Sequence, residues 1–247
     1  MDLINRFNEL IINDQKINVL KHSDKIIGEL SEKTLHNVIK NLYEDNQDFQ
    51  EIKIDKYYVD ILRDNNIIEI QTKQFNKLRD KISYLLSLNK YSINIVYPVF
   101  SKKTIYFIDS LDCKPKTSPK KFKIPEVFHE LYMIKTLLNN ENLQITLLVL
   151  EIDEYRKTSN NRKKYICYDR VPRKLIKEVI LKSKDDYLKL LPLNLNEKFT
   201  SKELSQMTKT NVKYVNKMLN VLKYLNVVEV VGKEGRKLLY SVKRGWI

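Results

Sequence analysis

The chain has 247 residues, 43% of them hydrophobic, with 45 Lys/Arg against 31 Asp/Glu and a formal net charge of +14. That apolar fraction builds real cores and excludes global disorder, and the length suits one large domain or two modest ones. The charge points to a polyanionic partner, either nucleic acid or an anionic surface.

The start, Met1-Asp-Leu-Ile-Asn-Arg-Phe7, lacks the charged-then-apolar layout of a secretion signal. The longest apolar stretch, Leu143 to Ile152, is too short to span a bilayer, so a cytoplasmic protein with no membrane partner is expected. A short helix is predicted within residues 2–12. A stronger one runs from Ser31 to Tyr43, where Leu35, Val38, Ile39 and Leu42 recur at helical spacing behind Ser31 as N-cap. Three strands follow at 50–54, 57–63 and 67–72, the last two joined by the turn-forming Asp64-Asn65-Asn66. A helix over Asn76–Asn89 buries Leu78, Ile82, Leu85 and Leu86. Residues 93–97 and 104–108 read as two further strands, giving the order α-β-β-β-α-β.

Residues 110–124 form a basic loop punctuated by proline, and Pro125 suits the first turn of a helix reaching Asn139. Leu143–Leu150 is a strand. Arg156–Lys164 carries five basic residues and marks a domain boundary or a mobile loop, dividing the chain into 1–165 and 166–247. Cys113 and Cys167 are isolated and read as reduced thiols. The histidines at 22, 36 and 129 are too scattered to suggest a metal cluster, and His36 reads as a partly buried helical residue.

The hairpin from Tyr57 to Lys73 holds the chemistry. Side chains alternate along a strand, so Glu69, Gln71 and Lys73 share one face. A two-residue turn at Asp64-Asn65 sets Asp60 opposite Glu69; a turn one residue later sets it opposite Gln71. Either register brings carboxylates together, and facing carboxylates repel unless a cation or proton lies between them. Oxygen ligands of this kind suit Mg²⁺, which takes one or two protein carboxylates plus substrate phosphate.

This layout, over residues 31–97, resembles the PD-(D/E)XK nuclease superfamily, whose mixed-sheet α/β core has the same element order. The resemblance implies that Asp60 and Glu69 hold Mg²⁺ or Mn²⁺, helped by Glu32 on the first helix and by the Ile70 carbonyl. Gln71 stands where the family has its water-positioning Lys, and Val59 where it has Pro. Lys73, on the same face two residues on, offers the missing charge. The longer pattern from Glu32-x-x-Leu35-His36 through Ile68-Glu69-Ile70-Gln71-Thr72 to Val96-Tyr97-Pro98 also resembles a family of uncharacterised bacterial proteins.

From Val171 onward 17 Lys/Arg stand against 7 Asp/Glu, so +10 of the net charge lies in the last third. Leu175, Ile176, Val179, Ile180, Tyr187 and Leu190 predict a helix within 171–191. Thr200-x-x-Glu203 is a capping box that opens a short helix, and Lys209-Thr210-Asn211 is a turn. Val212–Leu225 is a helix with Val215, Met218, Leu219, Leu222 and Leu225 as its apolar stripe. That stripe leaves Lys213, Asn216, Lys217 and Asn220 outward. Val227–Val231 and Lys237–Val242 flank Gly232-Lys-Glu-Gly235 as a hairpin.

Residues 172–243 resemble the winged helix-turn-helix family. The resemblance implies that Lys213, Asn216 and Lys217 enter the major groove, with Lys233, Arg236 and Lys237 of the wing on phosphates. The combined expectation is a DNA-binding, divalent-metal-dependent endonuclease of repair, restriction or defence type, acting alone or as a homodimer. RNA is the alternative nucleic acid. The alternative function is a non-catalytic DNA-binding regulator on a degenerate nuclease fold.

Overall fold

The computed structural model describes residues 2–21, 33–109, 114–158 and 165–243. In chain order these form α1 (Leu3–Lys21), α2 (Lys33–Tyr43), β1 (Gln50–Ile54), β2 (Tyr57–Arg63), β3 (Asn66–Ile70), α3 (Arg79–Ser87), β4 (Ser92–Phe107) and β5 (Lys116–Thr117). They continue with α4 (Ile124–Leu131), β6 (Leu143–Thr158), β7 (Tyr165–Leu181), α5 (Lys184–Leu188), β8 (Lys198–Thr200), α6 (Ser201–Met207), α7 (Val212–Tyr224), β9 (Val228–Glu234) and β10 (Lys237–Val242). Short 3-10 segments precede α3 and follow α4. The protein is α/β with a mixed sheet.

That sheet has the strand order β1-β2-β3-β4-β6-β7, with β5 paired to β4. The β1–β2–β3 meander is antiparallel. Its second turn is the two-residue alternative: Arg63 pairs with Asn66, and Asp64 takes the left-handed backbone at φ 55°. A short Asp tolerates that region better than bulkier side chains. Strands β4 and β6 run parallel, because Ile93 donates to the carbonyl of Asn142 and, further along, Ile108 donates to that of Arg156. Three further strands, β8-β10-β9, make a separate antiparallel sheet.

Several expectations fail here. The strand expected at 67–72 ends at Ile70, so Gln71 and Lys73 do not share a strand face with Glu69. The helix expected to reach Asn139 is α-helical only to Leu131 and continues as a 3-10 segment to Leu137. Residues 171–181 belong to strand β7, and only Lys184–Leu188 is helical, as α5. The segment is rich in β-branched Val and Ile, which suit a pleated surface, and Pro172 is disfavoured in a helix interior. The two short strands expected at 93–97 and 104–108 are one continuous strand, β4.

By contacts the chain divides into two units that interleave in sequence. The first comprises 1–70, 96–122 and 147–179; the second comprises 71–95, 123–146 and 180–247. The linear division at 165/166 falls at the first residue of β7, whose first fifteen residues lie in the first unit. Of the expected loop Arg156–Lys164, residues 156–158 end β6 and the rest lie outside the described residues.

In the first unit α1 and α2 lie on one face of the sheet. Phe7 and Ile11 of α1 and Leu35, Val38, Ile39 and Leu42 of α2 pack with Ile70, Val96, Leu148, Leu150, Ile152 and Leu175. Each such side chain contributes about 1.5–3 kcal/mol on burial. In the second unit α4 and the 3-10 segment Tyr132–Leu137 pack against α7, whose Val215, Met218, Leu219 and Leu222 are buried. No helix among the described residues is long and apolar enough to cross a membrane.

Candidate functional site

The hairpin ladder explains where Asp60 goes. The β2–β3 pairing runs from Arg63↔Asn66 through Leu62↔Ile67 to Ile61↔Ile68 and stops there. One step further would set Asp60 against Glu69, but Asp60 turns its carboxylate to the backbone instead. Its Oδ2 accepts the Ile70 amide N–H at 2.7 Å and lies 3.3 Å from Nε2 of His36 on α2. A charge-assisted backbone bond of this kind fixes the carboxylate's direction. Sequence reading set His36 aside as a structural residue. The signal that could have found it is its place on the helical face of the Glu32-x-x-Leu35-His36 pattern, next to the sheet. Glu32 itself lies outside the described residues.

Glu69 is buried, 3% exposed. Its Oε1 carries no hydrogen bond, although the residue has other contacts. Ligand oxygens and nitrogens sit about 2.0–2.2 Å from a transition or divalent ion, so two adjacent ligands of one ion stand roughly 3 Å apart. Asp60 Oδ2 and His36 Nε2 have that spacing. Carboxylates suit Mg²⁺ and Mn²⁺, whereas an imidazole suits Zn²⁺, Fe²⁺ or Ni²⁺ better. Among the described residues no group of three or more His, Cys, Asp and Glu side chains is arranged to hold a metal ion.

Gln71 and Lys73 fall in the second unit, since the division passes between Ile70 and Gln71. The Gln71 amide nitrogen donates to the backbone carbonyl of Lys73, so this side chain closes its own turn. Gln74 then takes φ 62°, and the Phe75 amide donates to Glu130 Oε2 at 2.9 Å. Lys73 is exposed.

A second cluster escaped sequence reading altogether. Glu154 on β6 is 2% exposed and meets Lys103 at 2.8 Å, Arg170 at 3.1 Å and Arg156 at 2.5 Å. Burial pushes its carboxyl up, but the hydrogen bonds from Lys103, Arg156 and Arg170 outweigh that and hold it at about 2. Nearby, Asp169 on β7 accepts from the Thr34 hydroxyl at 2.6 Å, tying the start of α2 to the sheet. Burial raises the Asp169 carboxyl above its usual range, against the pull of that Thr34 bond and the Arg170 amide. These residues are far apart in sequence, and no local motif announces them.

The nucleic-acid candidates divide. Lys213 and Asn216 on α7 are exposed, as are Lys233, Arg236 and Lys237 around the β9–β10 turn, where Gly235 takes φ 59°. Lys217 and Asn220 are only partly exposed and already have partners. Lys217 Nζ lies 2.5 Å from His129 Nδ1 and 5.6 Å from the Tyr132 ring centroid, and Lys135 donates to Asn220 Oδ1 at 2.9 Å. The helix has a second packed side because α4 and the segment after it belong to the same unit, which the linear division could not anticipate.

Residues 33–182, well over half the chain, match the family described as Domain of unknown function (DUF8091). The chain belongs to the DUF8091 family. The DUF8091 region starts at α2 and ends just after β7, so it contains His36, Asp60, Glu69 and the Glu154 cluster, while β8, β9, β10, α6 and α7 lie beyond it. An uncharacterised protein of Treponema pallidum (strain Nichols) is 25% identical over 222 residues, spanning 87% of this chain and 86% of that protein. Likeness to that relative therefore extends beyond the DUF8091 region. No solved structure matches the chain.

Proposed function

We propose that this DUF8091 protein binds DNA and hydrolyses its phosphodiester bonds with a divalent cation, Mg²⁺ or Mn²⁺, held by Asp60 and Glu69. The observation that carries the reading is the approach of Asp60 to His36 where the β2–β3 ladder ends. The order α2-β1-β2-β3-α3-β4 supports a PD-(D/E)XK-type core. The order α5-β8-α6-α7-β9-β10 supports a winged helix, with Thr200 and Glu203 forming the capping box that starts α6.

When bound, the cation polarises the phosphoryl group and lowers the pKa of a coordinated water. The chain's own residues prepare its place. The Ile70 N–H holds the Asp60 carboxylate at a fixed angle, and His36 supplies an imidazole at 3.3 Å that can ligate the ion or take a proton. DNA would be met by the exposed Lys233, Arg236 and Lys237 on phosphates and by Lys213 and Asn216 at the start of α7. Lys217 is given no base contact, because it is bound by His129.

The second reading, a non-catalytic DNA-binding regulator, is favoured by one observation. No group of three or more His, Cys, Asp and Glu side chains among the described residues is arranged to hold a metal ion. Cleavage of linear duplex DNA with Mg²⁺, Mn²⁺ or EDTA separates the two. The nuclease reading expects cation-dependent products from the wild type that Asp60→Asn and Glu69→Gln abolish. Intact DNA throughout, with tight binding, would establish the regulator instead.

A further inference from the structure

We propose that one face of the β4–β6–β7 ribbon in the first unit binds single-stranded nucleic acid. Along β6, Leu148, Leu150 and Ile152 point into the core under α1 and α2, so alternation puts Asp153 and Tyr155 on the opposite face. Tyr106 of β4 stacks on Tyr155 with ring centroids 5.1 Å apart and planes 21° from parallel. Arg173 of β7 donates to Asp153 Oδ2 at 2.7 Å and to the Tyr155 hydroxyl at 3.4 Å. Further along the ribbon, the Lys157 ammonium lies 4.4 Å from the centroid of the Tyr168 ring. The three tyrosines, Lys157 and Arg173 are all partly exposed.

A lone cross-strand tyrosine pair is explained by sheet packing. The interleaving of rings and cations on one face is not. Proteins that hold single strands combine a basic surface for the backbone with aromatic side chains on which bases stack. On this face Asp153 is buried and bound by Arg173 and Glu151 is partly exposed, while Lys157 beside Tyr168 supplies a cation within reach of a phosphate. A duplex cannot use such a surface through its bases, because they are stacked on one another. The assignment rests on the first unit alone and needs neither the cation of the nuclease reading nor the contacts of α7 and the β9–β10 turn.

The test is fluorescence anisotropy of the full chain with labelled oligodeoxythymidine, oligouridine, an abasic strand of equal length and a duplex. Replacing Tyr106→Leu and Tyr155→Leu together should weaken single-strand binding about tenfold or more, since each base stack is worth that order. The double Phe variant should keep it, and the Leu variant should bind the abasic strand as the wild type does. Circular dichroism checks that the Leu variant is folded. Removing Lys233, Arg236 and Lys237 should weaken duplex binding and spare the single strand. The proposal is overturned if the wild type binds no single strand, or if the folded Leu variant binds it unchanged. It is equally overturned if the Leu variant loses the abasic strand as much, or if the wing variant abolishes single-strand binding. A wild type that binds the single strand but no duplex would count against the winged-helix reading and leave this one standing.

Discussion

The ammonium of Lys217 and Nδ1 of His129 lie 2.5 Å apart, which ties α7 to α4 inside the second unit. A lysine ammonium has only donors, so Nδ1 of His129 is the acceptor in this contact. Lys217 is therefore spent on the fold, whereas Lys213, one turn earlier, is exposed. Lys217→Ala should lower the melting temperature and leave duplex affinity nearly unchanged; the lost bond is worth about 0.5–1.5 kcal/mol. Lys213→Ala should do the reverse, weakening DNA binding and reducing the slope of log affinity against log salt by about one. Equal losses of affinity in both variants would contradict this division.

Glu154 gives a pH-dependent signature. Its folded carboxyl titrates at about 2, below the ordinary value of 4.5. A depressed acid stabilises the fold above its unfolded pKa, and that contribution disappears as pH falls towards the folded value. Glu154→Gln should thus be destabilising at neutral pH, on the order of 3 kcal/mol, because it strands three partly buried cations. The gap between variant and wild type in thermal melts should narrow between pH 4 and pH 2. A gap constant over that range would show that the charge is not what matters.

The capping box at the start of α6 is open to a simpler check. Thr200 is 3% exposed, its hydroxyl accepts from the Glu203 amide at 3.2 Å, and Glu203 Oε2 accepts from the Thr200 amide at 2.6 Å. Thr200→Ala should cost about 0.5–2 kcal/mol in urea denaturation. Thr200→Ser should restore most of it.

The elements with local signals were legible in the sequence. The stripe of α2 and the Thr200/Glu203 cap stand where the residues place them, and the hairpin turn takes one of the two positions the residues allow, because each is decided within a few positions. What could not be read depends on distant partners. Residues 171–181 show helix-like spacing, yet they add a strand to a sheet. Apolar periodicity cannot separate a helix from a buried strand when tertiary pairing decides. The Asp60/Glu69 register was legible to within one step, but not the turn of Asp60 towards Ile70 and His36, which needs α2 in place. Likewise Lys217 looks outward on a helical wheel, and only α4, eighty-odd residues earlier, turns it inward.

His36 should matter to any cation that Asp60 holds. Neighbouring groups of this kind change metal affinity or activity about 10- to 100-fold. His36→Ala should weaken Mn²⁺ binding by that order while leaving the melting temperature within a few degrees of wild type. Isothermal titration would read the affinity, and an unchanged constant would confine His36 to a structural role.

Cleavage assays can be misled by a trace of contaminating nuclease, whereas cation binding belongs to the purified chain itself. The most direct measurement is therefore electron paramagnetic resonance of Mn²⁺ titrated with the 247-residue chain. The account predicts bound Mn²⁺ in the wild type that Asp60→Asn removes and Glu69→Gln weakens, with Mg²⁺ competing for the same place. Mn²⁺ that stays free, or that binds both variants as it binds the wild type, would contradict it.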